Sequence, residues 1–143
     1  SGLLTGRPPG DLGVRDGRLK PPSLTDNSVS SQAGLWSGHA QREAAHIDPL
    51  PLVGSDGAAT MRRLREIVAA MPGTQVLAVR DDYLHVQFTT PLMRFGDDAE
   101  FWLDTGAGVV QVRSASRLGR RDFGVNRRRI EAIRVQLAEV PQR

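Results

Sequence analysis

Cysteine is absent from this chain of 143 residues, so disulfide bonds, thiol catalysis and metal sites with cysteine ligands are all excluded. The absence does not identify the compartment, because a protein of the cell envelope need not contain a disulfide. The three histidines lack the spacing of a metal site: His39, His46 and His85. No apolar run approaches the roughly 20 residues of a transmembrane helix. We therefore expect no metal, no cofactor and no membrane span within the chain.

Lysine is almost absent as well. Lys20 is the single lysine, and arginine supplies the rest of the 19 basic side chains. Against 16 acidic residues this leaves a net charge of only +3. The sequence has no lysine-rich run and no basic patch interleaved with aromatic residues, the features that accompany nucleic-acid binding. We therefore expect no nucleic-acid partner.

Helix-breaking residues are placed unevenly: many of the 15 glycines and 9 prolines lie in the first 57 residues. The length and the 39% hydrophobic content suit one domain with one core. We expect residues 1–19 to be a linker or the remnant of a trimmed N-terminal anchor. That anchor would be the protein's only attachment to a membrane. Residues 20–56 are expected to form an irregular arm packed on the domain, and residues 57–140 its α-β-β-β-β-α core.

Hydrophobic periodicity predicts two helices and four strands in that core. The first helix begins after Asp56 and runs to about Met71, and the last runs from Phe123 or Gly124 to Glu139 with Asp122 as its cap. Val140 extends the apolar stripe of the last helix, and Pro141 stops it. An irregular continuation or bulge is expected at residues 91–95. Alternating residues predict strands at 74–80, 83–90, 98–104 and 109–117.

This order predicts an α+β fold, with an antiparallel four-stranded sheet and both helices on one face. The other face would carry polar side chains and Trp102, which needs a cover. The long irregular N-terminal arm is the available material, so we expect it to cover part of that face. The residues predicted there are His85, Gln87, Glu100, Trp102, Gln111 and Arg113.

Three blocks in this order resemble the family catalogued as domain of unknown function 1499: LKPPSLTDNSVSSQA (residues 19–33), DDYLHVQFTTPLMRFGDDAEF (81–101) and VRSASRLGRRDFGVNRRRIE (112–131). The resemblance covers about residues 12 to 139. It implies a bacterial cell-envelope setting, membrane-anchored or periplasmic, and no established reaction, cofactor or substrate. Many relatives carry a cysteine pair whose positions correspond here to Pro22 and Ser28, so a role attached to that pair cannot operate in this chain.

The most informative stretch joins the last strand to the last helix through an arginine-rich turn. Arginine forks and the free N–H groups of a helix N-terminus both favour anions, which predicts a binding site formed by Arg113, Arg117, Arg120 and Arg121. The alternative is internal pairing of these arginines with Asp97, Asp98, Glu100 and Asp122. On the buried side of the last helix, we expect Asn126 and Arg129 to hydrogen-bond to strand ends or to the arm.

Three functional hypotheses remain open. The first is a non-catalytic envelope module that presents the polar face, including His85 and Trp102, and the arginine-rich rim to a small anionic ligand or an envelope protein. The second is a hydrolase-type enzyme that uses His85, Glu100, Arg113 or Ser30 beneath the arm, although no nucleophile-elbow motif occurs. The third is a purely structural interaction domain in which every arginine has an internal partner.

Overall fold

Six β-strands and two α-helices make up the part of the chain described by the structure, a computed structural model covering residues 7–91 and 96–139. The predictions made for residues 1–6, for 92–95, for Val140 and for Pro141 lie outside this part. Short 3₁₀ turns follow the first two strands, at Ala33–Leu35 and Val53–Ser55. The elements in chain order are β1 (Ser28–Ser30), β2 (Leu50–Pro51), α1 (Gly57–Ala70), β3 (Thr74–Arg80), β4 (Tyr83–Thr89), β5 (Gly96–Asp104), β6 (Val109–Ser116) and α2 (Val125–Ala138).

The fold is α+β, as predicted, and the four expected strands form β3 to β6. The predicted count of four was wrong, because the sheet has six strands. Its order is β1-β6-β5-β4-β3, with β2 also paired to β6, and these named pairs are antiparallel. Without β1 and β2, the outer edge of β6 would leave a row of backbone donors and acceptors unpaired. The region expected to be an irregular arm therefore contains two short strands.

Both helices pack on one face of the sheet, where they form a single hydrophobic core. In α1 the Asp56 carboxylate caps the helix by accepting a hydrogen bond from the backbone N–H of Ala59 at 3.0 Å. The arm contributes Val29, Ile47 and Leu50 to the same core. The helices and the central strands supply its other fully buried members: Leu64, Val68, Leu84, Val86, Ala99, Phe101, Val110, Val112, Ile130 and Ile133. In the described ranges, neither helix is long and apolar enough to cross a bilayer.

The opposite face of the sheet meets residues 13–21, the end of the expected linker and the first residues of the arm. The backbone N–H of Gly13 donates to the Glu100 carboxylate at 2.7 Å, and the Arg113 guanidinium donates to the Pro21 carbonyl at 3.0 Å. Leu19 lies between these two contacts in the chain and is buried. The arm thus covers part of the polar face, and it simultaneously extends the sheet edge and fills the core on the other side.

Gly73 fixes the junction between α1 and β3, and replacing it by Ala is expected to lower the free energy of unfolding by about 2–3 kcal/mol. Its φ is +75°, and a Cβ there would lie 2.0 Å from the Thr89 carbonyl oxygen. Chemical denaturation measures the change. Gly34→Ala is the matched control, because a Cβ at Gly34 meets no atom within 4 Å. Equal stability of the two variants would contradict the prediction.

Candidate functional site

A group of buried ionisable side chains lies on the sheet face opposite the helices, and we call it the polar-face cluster. Side chains alternate between the faces of a strand, so residues directly opposite each other on neighbouring strands share a face. His85 is opposite Glu100, and Glu100 is opposite Arg113, which places three of the predicted residues in one row. The complete cluster consists of Tyr83, His85, Asp98, Glu100, Arg113 and Arg117.

Asp98 holds one end of this cluster together. Arg117 donates to both oxygens of its carboxylate, at 2.8 Å from Nε and 2.9 Å from Nη2, and His85 Nε2 lies 2.6 Å from Oδ1. Burial raises the pKa of Asp98, but the hydrogen bonds from Arg117 and then His85 outweigh burial, so that the pKa is lowered overall. Because a carboxylate can only accept, His85 carries its proton on Nε2.

Glu100 ties the arm to the other end of the cluster. Its Oε2 accepts from the Tyr83 hydroxyl at 2.5 Å and from the Gly13 N–H at 2.7 Å, whereas its Oε1 is buried with no hydrogen-bond partner among residues 7–91 and 96–139. Burial, and then the negative charge of Glu100, raise the pKa of Tyr83 well above its ordinary value. The phenol therefore stays protonated and acts as a hydrogen-bond donor to Glu100.

Arg113 differs from the buried side chains of Arg117 and Arg129 because it has no ion-pair partner among the residues that the structure describes. The side chains of Arg117 and Arg129 lie 2.8 Å from carboxylate oxygens of Asp98 and Asp97. Arg113 is only 4% exposed, yet within residues 7–91 and 96–139 no carboxylate oxygen lies within 4.0 Å of its guanidinium. Burial lowers the pKa of Arg113, and the charge of Glu100 offsets part of that effect. A guanidinium remains protonated even so, and its planar fork is suited to oxyanions.

A cavity of about 480 Å³ lies between the arm and the sheet beside Arg113. We call it the arm–sheet cleft. Three cationic side chains line it, Lys20, Arg113 and Arg117, against the single carboxylate of Asp98. Lys20 is itself paired with Asp11 at 2.8 Å, and Arg117 with Asp98, so Arg113 is the lining cation for which the described part of the chain offers no carboxylate within 4.0 Å. Its other lining residues are Pro9, Pro21, Pro22, Ser23, Leu24, Thr25, Asn27, His39, Ala115 and Ser116.

The remaining predicted residues lie elsewhere. Asn126 and Arg129 are buried at the helix-side end of the sheet, where Arg129 pairs with Asp97 at 2.8 Å and the Asn126 amide donates to the Asn27 carbonyl at 3.3 Å. They thus bond to a strand end and to the arm. Arg120 and Arg121 are exposed on the loop before α2. Trp102 is half-buried on the polar face, opposite Tyr83 and Gln111, and is not among the cleft residues.

Sequence reasoning missed Tyr83 and Lys20 as members of this region. Tyr83 had a usable signal, because it has the same strand parity as His85 and therefore faces the same side of the sheet. Lys20 had none, since a residue in a coil shows no periodicity from which its position on the domain could be inferred. His39, which the sequence does not mark as a metal ligand, also lines the cleft.

The residues named for a hydrolase are not arranged as a nucleophile and a base. Ser30 is completely buried in β1, where its hydroxyl accepts from the Gln32 N–H at 3.1 Å. His39 Nε2 lies 2.9 Å from the Pro22 carbonyl, and its Nδ1 accepts from the Gln41 N–H at 3.0 Å, so both ring nitrogens are engaged. Across the described chain, neither His39 nor His85 has a serine hydroxyl within hydrogen-bond distance. The same part of the chain contains no group of three or more residues that could hold a metal.

Comparison with known proteins yields one match. The family model described as "Protein of unknown function (DUF1499)" matches residues 18–137, which include β1 to β6, α1, all of α2 except its last residue, and every cleft residue except Pro9. Neither the curated proteins nor the solved structures include a significant match to the chain.

Proposed function

This chain belongs to the DUF1499 family of proteins of unknown function, and from the geometry of its arm–sheet cleft we propose that it is a binding module for a small anion. The anion would carry a phosphate or carboxylate group. The envelope location implied by the family resemblance is part of the proposal. So is a binding function rather than a catalytic one, because the described lining of the cleft offers three cationic side chains but no paired nucleophile and base.

The single observation that carries this proposal is that Arg113 is buried with no carboxylate within ion-pair distance among the residues that the structure describes. Leaving an ionised guanidinium buried without a counter-charge is costly, and proteins ordinarily offset that cost with a carboxylate. Asp97 and Asp98 do this for Arg129 and Arg117. Among the described residues, the internal pairing expected for the junction arginines therefore fails at Arg113, Arg120 and Arg121; Arg113 is the buried one of the three, and it lines a cavity. The nearby charge of Glu100 offsets part of that cost, but its carboxylate is not within 4.0 Å of the guanidinium, and an oxyanion in the cleft would supply a direct ion pair.

The surroundings of Arg113 suit an anion better than a cation. Its Nε is engaged by the Pro21 carbonyl, which leaves the terminal nitrogens of the fork as the donors for a ligand. Lys20 and Arg117 add positive potential, while the Asp98 carboxylate is already engaged by three hydrogen bonds. The volume of about 480 Å³ accommodates a small molecule rather than a bare ion alone.

Arg113→Gln is expected to weaken binding of inorganic phosphate or of a small polycarboxylate by about tenfold or more, because hydrogen bonds to charged groups are strong. Titration calorimetry, with thermal unfolding at rising anion concentration, measures the change. Arg62→Gln removes an exposed arginine from α1, outside the arm–sheet cleft, and is the matched control. Arg113→Lys keeps the charge without the fork and is expected to give intermediate affinity.

Phosphate also raises the stability of proteins non-specifically, by its exclusion from their surfaces. That effect is the same for Arg113→Gln and Arg62→Gln, so the difference between the two variants isolates the site. The proposal is contradicted if both variants respond to the anions as the wild type does, or if none of the anions binds.

A further inference from the structure

The loop before α2 and the neighbouring turn of the arm expose large apolar side chains beside exposed arginines. Phe123 is 75% exposed, Leu118 is 50% exposed, and Leu24 on the arm is 83% exposed. Two hydrogen bonds hold the segments together: Asn27 Nδ2 donates to the Gly119 carbonyl at 2.7 Å, and the Asp122 N–H donates to the Asp26 carbonyl at 3.3 Å. We call this surface, formed by residues 24–26 and 118–123, the loop tip.

Phe123 has two unfavourable features in the isolated protein, a strained backbone conformation and an exposed aromatic ring. Its φ is +54°, in the left-handed region that a bulky side chain rarely adopts. The strain does not bury the ring, which stays in water although the sequence has only four phenylalanines. A strained turn that holds a large apolar ring in water points to a contact of that ring with something outside the molecule.

The charges of the loop tip indicate what that contact is. Arg120 and Arg121 are exposed, and neither has an ion-pair partner within the described ranges. Arg128 is exposed next to the tip and donates to the Phe123 carbonyl at 2.8 Å. Asp26 is the exposed carboxylate on the arm side. Three arginines against one carboxylate complement a negatively charged surface.

We propose that the loop tip docks on an anionic lipid bilayer, with Leu24, Leu118 and Phe123 entering the interface and Arg120 and Arg121 against the phosphates. Three protruding side chains provide too little area for a specific protein interface of about 800 Å² per partner, but interfacial insertion beside cationic residues requires no groove. Leu24 and Arg113 both line the arm–sheet cleft. Resting on the function proposed above, this assigns the cleft anion to a lipid headgroup at the bilayer surface.

Co-sedimentation with vesicles tests the docking. The whole chain is expected to bind vesicles of phosphatidylcholine mixed with phosphatidylglycerol, to bind phosphatidylcholine alone weakly, and to lose binding as ionic strength rises. Phe123→Asn is the informative variant, because asparagine tolerates a positive φ. It is expected to unfold at the same or a higher temperature than the wild type and yet to bind vesicles several-fold less.

Matched controls separate the tip from general surface effects. Val135→Ser removes a 61% exposed apolar side chain from α2, and Arg62→Gln removes an exposed arginine from α1; both are expected to leave vesicle binding unchanged. Arg120→Gln and Arg121→Gln are each expected to weaken binding by about fivefold. Leu24→Ser extends the test to the arm.

The outcomes distinguish the two proposals. If phosphate binding depends on Arg113 but anionic vesicles do not bind, or bind independently of Phe123 and Leu24, the docking is overturned and the anion site stands as one for a soluble ligand. If vesicles bind through the tip but neither phosphate nor vesicle binding responds to Arg113→Gln, the assignment of the headgroup to the cleft is overturned together with the anion site. Loss of vesicle binding in Phe123→Asn and in Arg113→Gln, with both variants folded, supports both.

Discussion

Replacing Asp98 by Asn is expected to lower the free energy of unfolding by about 3–5 kcal/mol at neutral pH, because the buried Arg117 guanidinium then loses its counter-charge. The two side chains are only 2% and 3% exposed, so water cannot replace the carboxylate. The same change removes the charged acceptor for His85 Nε2, 2.6 Å away. Urea denaturation of the wild type and the variant measures the loss.

The contribution of the Asp98 carboxylate to the free energy of unfolding is expected to disappear in acid, and the lowered pKa of Asp98 gives the direction of this pH dependence. In the folded protein the pKa of Asp98 is below the ordinary value of 3.8. A carboxyl group of this kind contributes stability above 3.8 and loses the contribution as the pH falls through its folded pKa. The difference in the free energy of unfolding between the wild type and Asp98→Asn should therefore be constant near neutral pH and decrease below pH 3.8.

Asp48→Asn is the matched control for this experiment. Its carboxylate also faces a histidine, His46, at 3.4 Å, but it is 84% exposed, and surface pairs contribute little. Its stability should match that of the wild type throughout. A deficit in Asp98→Asn that persists unchanged into strong acid, or no deficit at neutral pH, would show that the buried pair does not contribute as argued.

Asn126→Leu is the second substitution with a large expected effect, about 3–5 kcal/mol, because several buried polar groups would lose their partner at once. Asn126 is completely buried. Its Oδ1 accepts from the Ser114 hydroxyl at 2.6 Å and from Arg129 at 3.0 Å. Its Nδ2 donates to Ser116 Oγ, Asp122 Oδ2 and the Asn27 carbonyl, at 3.0, 2.9 and 3.3 Å.

Asn126→Leu should also weaken the attachment of the arm to the sheet, an effect not expected from a substitution that only disturbs packing in the core. The Asn27 carbonyl accepts both from Asn126 and from the Ser116 N–H, the latter at 3.0 Å. Hydrogen exchange at Ser116 is therefore expected to accelerate more than exchange at the β4–β5 pairing. Gln136→Leu, on the same helix but only half-buried, is the control and should change neither stability nor exchange. Uniform acceleration across the sheet would contradict a role in holding the arm.

The sequence by itself determined the secondary structure of the core and the division of the sheet into two faces. Alternation along β4, β5 and β6 assigns His85, Glu100 and Arg113 to one face, because side-chain direction along a strand is a local property. The 3.6-residue period of α1 likewise identifies its buried stripe, and Asp56 marks its start. These features depend on neighbours a few residues apart, which is the range over which a sequence pattern carries information.

Only the tertiary structure decided which charges meet and what the arm does. Asp98 meets Arg117, 19 positions away, and Arg129 meets Asp97, 32 positions away, because strand register and helix placement bring them together. The pairing of β1 with β6 joins residues more than 80 positions apart, and no periodicity in the sequence of the arm predicts this pairing. Arg113 became the distinctive residue for the same reason: its isolation from a carboxylate is a property of the packed fold, whereas composition and spacing made all the junction arginines look alike.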